Sequence, residues 1–294
     1  PSDSEMLGRI AKKMIGFGEQ DEAIALMRTQ ADLLIKQKSL PEATACLREI
    51  IRLAPDDVEA HSSLAECLEK SGNEAEAAKV LAELAARAQS DEKLEEAIGL
   101  RLKIRALMPL DVANLETLMA LHEDVGQSND ALSVLSDLAD AHENRADFTS
   151  AIRCCKMLLE RCADERLTRG KLARCLVLSG SIDDAIVEFE RVIDIGLEEG
   201  EFPQVEEVLD YALSLKPNNE NLRARQIDLL VKQGKHEQAT VAMLAAAESA
   251  VGLGDTEKTA ASLERLSQAY FLDGDSVRRI IDLCDRANLT ELGN

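Results

Sequence analysis

The 294-residue chain carries 55 acidic against 34 basic side chains, a formal net charge of −21, and only 2% of its residues are aromatic. This negative charge opposes the phosphate neutralisation on which nucleic-acid binding depends, and the scarcity of aromatic residues argues against a large β-sheet. No run approaches the roughly 18 apolar residues that span a bilayer. We therefore expect neither nucleic-acid binding nor membrane insertion.

The first residues and the cysteines indicate where the chain resides. No positively charged stretch followed by an apolar core marks a signal peptide. Seven cysteines, an odd number without the spacing of a small disulfide scaffold, indicate reduced thiols. We expect a cytoplasmic protein. The chain starts at Pro1 without an initiator Met, which indicates a mature start or a piece of a longer protein.

A period of 54 residues runs through the sequence. We call positions separated by multiples of 54 a column. One column holds glycine and another, five residues later, holds alanine: Gly18, Gly72, Gly126, Gly180 and Gly234, then Ala23, Ala77, Ala131, Ala185 and Ala239. Asn288 is next in the glycine column, and Asn also tolerates the left-handed conformation that ends helices. A third column holds proline, which separates one helix from the next: Pro1, Pro55, Pro109 and Pro217, interrupted by Ala163 and Phe271.

These columns predict a partial copy at 1–18 and five full copies: 19–72, 73–126, 127–180, 181–234 and 235–288. In the first full copy, the spacing of apolar residues predicts helices over 20–38, 41–53 and 57–71. The third helix has the stripe Leu64, Ala65, Cys67 and Leu68. The pattern recurs, so the sequence predicts one all-α repeat domain over 1–294, a right-handed α-solenoid of about sixteen helices.

The glycine and alanine columns resemble the tetratricopeptide repeat, a helix–turn–helix family of about 34 residues per repeat. The segment LAECLEKSGNEAEAAKVL at Leu64–Leu81 and the segment at Leu172–Glu190 carry the resemblance, together with the stretch that ends at Pro55. The chain departs from the family in its longer period and in repeating three helices, so that each long helix would serve two neighbouring pairs. Armadillo and HEAT repeats are the alternative. The resemblance implies a scaffold that binds proteins or peptides.

Four cysteines lie close together in sequence, at Cys154, Cys155, Cys162 and Cys175. A zinc site is one interpretation. However, Cys154 shares a column with Leu100 and Val208, and Cys175 with Leu121 and Leu229. These apolar columns predict that the thiols pack in the core. The four histidines share no motif, and no phosphate-binding glycine loop is present. We expect no cofactor, no metal and no enzymatic activity.

In the tetratricopeptide family, the first helix of each pair lines a concave peptide-binding groove. Carried over to this chain, the resemblance assigns the lining to the third helix of each copy. The candidate partner-binding positions are Glu66, Lys70, Ala120, Glu123, Arg174, Val177, Asp228, Val231 and Lys232. The alternative is that these positions are ordinary solvated helix faces.

The third copy departs from the pattern. Residues 153–174 form a basic strip that contains Arg161, Arg166 and Arg174, and residues 183–210 form an acidic one. Arg161 shares a column with Leu53, Leu107 and Leu215. We therefore predict a recognition surface over 161–174. The alternatives are that the two strips pair with each other and that Arg161 turns out to solvent.

The function that these features predict is a cytoplasmic adaptor that binds a partner protein or peptide. The partner would have basic character, or an acidic segment that meets the 153–174 strip. Two alternatives are a structural module that self-associates through uncapped ends, and a regulatory sensor domain of a larger signalling protein.

Overall fold

The computed structural model describes residues 3–161, 165–253, 264 and 274–286. Every regular element in these ranges is an α-helix, and we number fifteen of them. They are α1 (Asp3–Phe17), α2 (Gln20–Lys36), α3 (Leu40–Leu53), α4 (Val58–Lys70), α5 (Glu74–Ser90), α6 (Leu94–Leu107), α7 (Val112–Asp124), α8 (Ser128–Asn144), α9 (Phe148–Glu160), α10 (Glu165–Leu178), α11 (Ile182–Glu199), α12 (Phe202–Leu215), α13 (Glu220–Lys232), α14 (His236–Leu253) and α15 (Gly274–Arg286).

The helices confirm the all-α class, and the three helices of the first copy end within two residues of their predicted bounds. In the four copies at 19–234, a long helix is followed by two shorter ones, as predicted. The second helix of the fifth copy, together with Phe271 and Asn288, lies outside the described residues, as do Pro1, Cys162 and Ala163.

The glycine column ends the third helix of each copy. Gly18, Gly72, Gly126, Gly180 and Gly234 all have positive φ, between 73° and 86°. At Gly72 the backbone closes in a double-bonded cap: the Gly72 N–H donates to Glu69 O and the Asn73 N–H to Leu68 O, both at 2.9 Å. Glycine enters this left-handed conformation without the steric cost of a Cβ, which is why the column is invariant across these copies.

A second left-handed column, which the sequence pattern did not predict, ends the first helix in each of the four copies at 19–234. Lys38, Glu92 and Ala146 have φ of 59°, 59° and 58°, and Gly200 in the same column has 78°. The cap is the same, since the Ser39 N–H donates to Leu34 O at 2.9 Å. Three of these four residues carry a Cβ, so glycine did not reveal this column in the sequence.

The proline column lies in the turn between the second and third helices of a copy. Two residues after Pro55, Asp57 caps α4 by accepting from the Ala60 N–H at 3.0 Å. Asp111 caps α7 in the same way at 3.4 Å, and Asn219 caps α13 at 2.9 Å. The first, second and fourth copies are therefore each built from two left-handed caps and one proline turn with a side-chain cap.

The alanine column lies in the core between packed helices. Ala23, Ala77, Ala131, Ala185 and Ala239 are all fully buried. A second small column holds Ala43, Ala97 and Ala151, also fully buried, but Val205 in the fourth copy. The larger valine is accommodated because Gly196 lies opposite, where a Cβ would come 2.5 Å from Val205 Cγ2.

The chain divides into two compact units, Pro1–Ala163 and Asp164–Asn294, and the division falls inside the third copy. Within each unit, consecutive helices pack together and ion pairs join helices two apart. Arg105 on α6 binds Asp137 on α8 at 2.5 Å, and Arg225 on α13 binds Asp194 on α11 at 2.7 Å. Alternate helices therefore form two layers, the arrangement of an α-solenoid.

Candidate interaction surface

Within each unit, the third helices of neighbouring copies lie in opposite layers. Each copy contributes three helices, an odd number, so a column moves from one layer to the other between neighbouring copies of the same unit. Glu66 and Lys70 lie on α4, where they form an exposed ion pair of 3.6 Å. Ala120 and Glu123 are exposed on α7, in the other layer. The structure thus does not bring these predicted groove positions together, because the family's two-helix unit keeps columns in one layer and this three-helix unit does not.

The same separation holds in the second unit, between α10 and α13. On α13, Val231 packs against a core cluster of α14 and α15. Lys232 donates from Nζ to Leu197 O at 3.1 Å, and Asp228 is half-buried. These three predicted positions are occupied by packing within the unit. The predicted positions Arg166, Arg174 and Val177 lie together on α10.

Arg161 leaves the core. Its side chain is about half exposed, and Nη1 donates to Glu123 Oε1 at 2.6 Å. The equivalent Leu53 and Leu107 are partly buried and pack against the core. Arg161 therefore turns out to solvent, as the alternative prediction stated. It pairs with Glu123, another of the predicted site residues.

The basic and acidic strips of the third and fourth copies pair with each other. Arg166 binds Glu199 at 3.3 Å and also Glu201. Arg169 binds Glu188 at 2.7 Å, with only 15% and 12% of the two side chains exposed. This pair occupies core columns, since the equivalent residues 54 positions earlier, Leu115 and Val134, are fully buried. Arg166 and Arg169 of the basic strip are therefore engaged by acidic residues within the second unit.

What remains outward on α10 is a face of four residues, Leu167, Lys171, Arg174 and Leu178, which we call the α10 face. Their spacing of four, three and four residues places them on one side of the helix. Leu167 is 61% exposed and Leu178 52% exposed, and Arg174 between them is exposed.

The other copies have polar or small residues at the two leucine positions. Glu59, Ala113 and Asn221 share the column of Leu167, and Lys70, Asp124 and Lys232 share that of Leu178. The repeat therefore does not require leucine at either position. Two leucines on either side of two cations distinguish α10 from its equivalents.

The six cysteines in the described part of the chain are buried, which confirms their assignment to the core. Burial, and to a smaller extent the nearby Glu49, raises the pKa of the Cys46 thiol to about 11. Burial likewise raises the pKa of Cys154. In the parts of the chain that are described, no cluster of three potential metal ligands occurs.

One core substitution escaped the sequence analysis. Arg101 shares a column with Leu47, Cys155 and Leu209, all buried. Its Nη1 donates to Asn114 Oδ1 at 3.3 Å, and Asn114 Nδ2 donates back to Arg101 O at 3.1 Å. Burial lowers the pKa of the guanidinium, and Asp111 opposes the shift. The signal was available, because Arg101 is the charged residue in a column of Leu and Cys.

Residues 34–99 match the family model described as tetratricopeptide repeat, which confirms the predicted resemblance over that stretch. Among curated proteins, none matches the chain. None of the helices in the described ranges is long and apolar enough to cross a membrane.

Several solved structures are similar in part. A signal transduction ATPase with a tetratricopeptide repeat sensor from Pyrococcus horikoshii is 13% identical, with 98% of this chain and 46% of that chain covered and a TM-score of 0.41. The Rap conjugation gene regulator of the plasmid pLS20, solved in complex with the Phr* peptide, is 13% identical, with 91% and 78% covered and a TM-score of 0.35. The P58(IPK) tetratricopeptide domain is 14% identical, with 99% of each chain covered and a TM-score of 0.27.

Proposed function

We propose that this chain is a protein-interaction scaffold and that its α10 face binds an acidic, amphipathic segment of a partner protein. The observation that carries the proposal is the exposure of Leu167 and Leu178 at positions where the equivalent helices have polar or small residues. The tetratricopeptide match supports an interaction module in place of a catalytic one.

The chemistry of the face indicates the partner. Burying an exposed leucine side chain in an interface contributes roughly 1–2 kcal/mol. Lys171 and Arg174 lie between the two leucines, so the partner residues that meet them would be carboxylates, in keeping with the acidic segment predicted for the basic strip. A helical partner with leucine-sized residues at both ends of a two-turn acidic stretch has this pattern.

The test uses the repeat itself to choose tolerated substitutions. Leu167→Glu with Leu178→Lys installs the residues that the first copy has at Glu59 and Lys70. As a matched control, Val187→Glu with Val241→Lys removes two other exposed apolar side chains of the second unit. Each protein is used to capture partners from a native lysate with a lysine-directed crosslinker, and the crosslinked peptides are mapped.

We expect crosslinks at Lys171 in the wild type, their loss in the Leu167/Leu178 variant and their retention in the control. Capture that the Leu167/Leu178 substitutions leave unchanged, or crosslinks confined to other helices, would show that the α10 face is not the binding surface.

A second candidate function is self-association through α1. Met6, Ile10 and Phe17 are exposed on this helix. The columns of Met6 and Ile10 are buried in the equivalent α4, at Ala60 and Leu64.

These exposed α1 side chains would supply a surface for the predicted self-association. Light scattering over a dilution series tests it. A concentration-dependent mass that Ile10→Lys with Phe17→Ser abolishes would support assembly, whereas a monomer at all concentrations would exclude it.

A further inference from the structure

The first unit contains a cleft between α6 and α8, beside the turn that follows α6. We call it the α6–α8 cleft. Its volume is about 460 Å³, within the range of small-ligand and side-chain pockets. The lining residues are Leu102, Arg105, Ala106, Pro109, Leu110, Asp137 and Asp140. Leu102 is 40% exposed and Leu110 45% exposed, so the floor of the cleft is apolar and open to solvent.

This apolar floor is specific to the second copy. The columns of Leu102 and Ala106 hold Arg48 and Arg52 in the first copy, Lys156 and Glu160 in the third, and Asp210 and Ser214 in the fourth. The column of Leu110 holds Asp56, Asp164 and Asn218 in those copies. A solvated face of the repeat has therefore become apolar at three neighbouring positions, and the core does not require this change.

A further substitution opens the cleft. At the proline turn of the first copy, Arg87 extends from α5 of the second copy, so that its Nη1 donates to Pro55 O and lies 3.3 Å from Asp56 Oδ1. At the proline turn of the second copy, the equivalent position is Ala141 on α8 of the third copy. The side chain that covers the turn in the first copy is thus absent beside Leu110.

The wall formed by α8 is acidic. Asp137 and Asp140 line it, and Arg105 is held against the wall by Asp137 at 2.5 Å and by Ser133 Oγ at 3.1 Å. An apolar floor with two carboxylates along one side suits an aliphatic side chain that is flanked by cations. The field of a chain with net charge −21 favours the same ligand.

We propose that the α6–α8 cleft binds a basic peptide segment of a partner protein, which inserts a large aliphatic side chain between Leu102 and Leu110 and places a flanking Lys or Arg beside Asp137 and Asp140. This site is separate from the α10 face and has the opposite charge. Its ligand is therefore a different segment from the acidic one proposed for α10.

The test uses three fluorescein-labelled hexapeptides and the full chain. KRLLRK has the proposed chemistry, KRGGRK keeps the charge without the aliphatic side chains, and EELLEE keeps the side chains with the opposite charge. Leu102→Arg with Leu110→Asp restores the residues of the first copy, Arg48 and Asp56, and is expected to fold normally. Leu167→Glu with Leu178→Lys is the control for an unrelated apolar surface.

By fluorescence anisotropy, we expect KRLLRK to bind the wild type and the α10 control equally. The Leu102/Leu110 variant should bind it at least about tenfold more weakly, since two anchor side chains are lost. Circular dichroism and the thermal midpoint of the variant should match the wild type. Raising the salt concentration should weaken binding, because the flanking cations are solvent-exposed.

Three results would overturn the proposal. KRGGRK that binds as tightly as KRLLRK would show a non-specific charge interaction. Equal affinity of KRLLRK for the wild type and the Leu102/Leu110 variant would place the peptide elsewhere. A dimer of the unliganded protein that the Leu102/Leu110 substitutions dissociate would assign the cleft to a second copy of the chain.

Discussion

The helices α7 and α10 hold the same place in successive copies. They differ in that two buried apolar positions at or beside α7 are charged at or beside α10, while two outward positions have become leucine. On α7, Leu115 is fully buried, as is Val134 on the adjacent α8, while Ala113 and Asp124 lie outward. On α10, the equivalents of the buried pair are Arg169 and Glu188, and the equivalents of the outward pair are Leu167 and Leu178. Charge has moved inward and leucine outward.

This inversion shows which positions the repeat requires. The left-handed glycines and the small alanines that let helices meet are the same in both copies. The residues between them can exchange character, provided that a charge placed inside finds its partner, as Arg169 finds Glu188 at 2.7 Å. The outward leucines Leu167 and Leu178 are 61% and 52% exposed, and this exposure is why we assign them to binding.

The largest expected effect comes from breaking the inward pair. Because either residue alone would leave a nearly buried charge without its main partner, Arg169→Leu or Glu188→Val should each lower the free energy of unfolding by about 3 kcal/mol. The double variant recreates the Leu–Val pair of α7 and α8, so it should recover to within about 1 kcal/mol of the wild type. Urea unfolding followed by circular dichroism measures all four proteins.

The two single variants need not be equal. Arg191 also binds Glu188 at 2.9 Å, so Glu188 keeps one cation when Arg169 is removed. A double variant that is less stable than both singles would show that the pair is not a substitute for the apolar contact of the second copy.

The fold could be predicted because its periodic signals are backbone requirements. The third helices of the four copies at 19–234 all end at a glycine with φ near 80°, so the glycine column is visible in the sequence of each of them. The second left-handed column was not predicted because Lys38, Glu92 and Ala146 are not residue types that indicate a positive φ in a sequence.

The candidate site could be predicted only in part. The sequence pointed to Arg166, Arg174 and Val177, but it could not show that Arg166 is bound by Glu199 and Glu201 across two helices. Whether the predicted groove positions on α4 and α7 share one surface depends on the layer that each helix occupies. The structure shows that the two helices lie in different layers, because each copy has three helices. Leu102 and Leu110 replace charged or polar residues of the other copies, but they become the floor of a cleft only where α6 and α8 meet.

Substitutions in the second left-handed column should have a smaller effect. They test whether the side chains there contribute contacts that outweigh the backbone strain. Replacing Lys38, Glu92 or Ala146 by glycine should raise the free energy of unfolding by about 1 kcal/mol each, since a Cβ at positive φ costs roughly that amount. Gly200→Ala should lower it by a similar amount. Thermal unfolding of the four variants measures the shifts. Glycine variants that are less stable than the wild type would indicate that these side chains make contacts worth more than the strain.

The smallest effect on the free energy of unfolding is expected for the outward leucines Leu167 and Leu178. A small effect is what the proposed binding role requires. Leu167→Glu with Leu178→Lys should change the free energy of unfolding by less than about 0.5 kcal/mol, because more than half of each leucine side chain is exposed to solvent. The matched comparison is Leu118→Glu on α7, which places a charge in a fully buried position and should prevent cooperative folding. Urea unfolding of both proteins decides the question. A loss of about 2 kcal/mol from the outward pair would mean that these leucines pack against the scaffold, and the case for α10 as a binding surface would then fail on stability before any partner is tested.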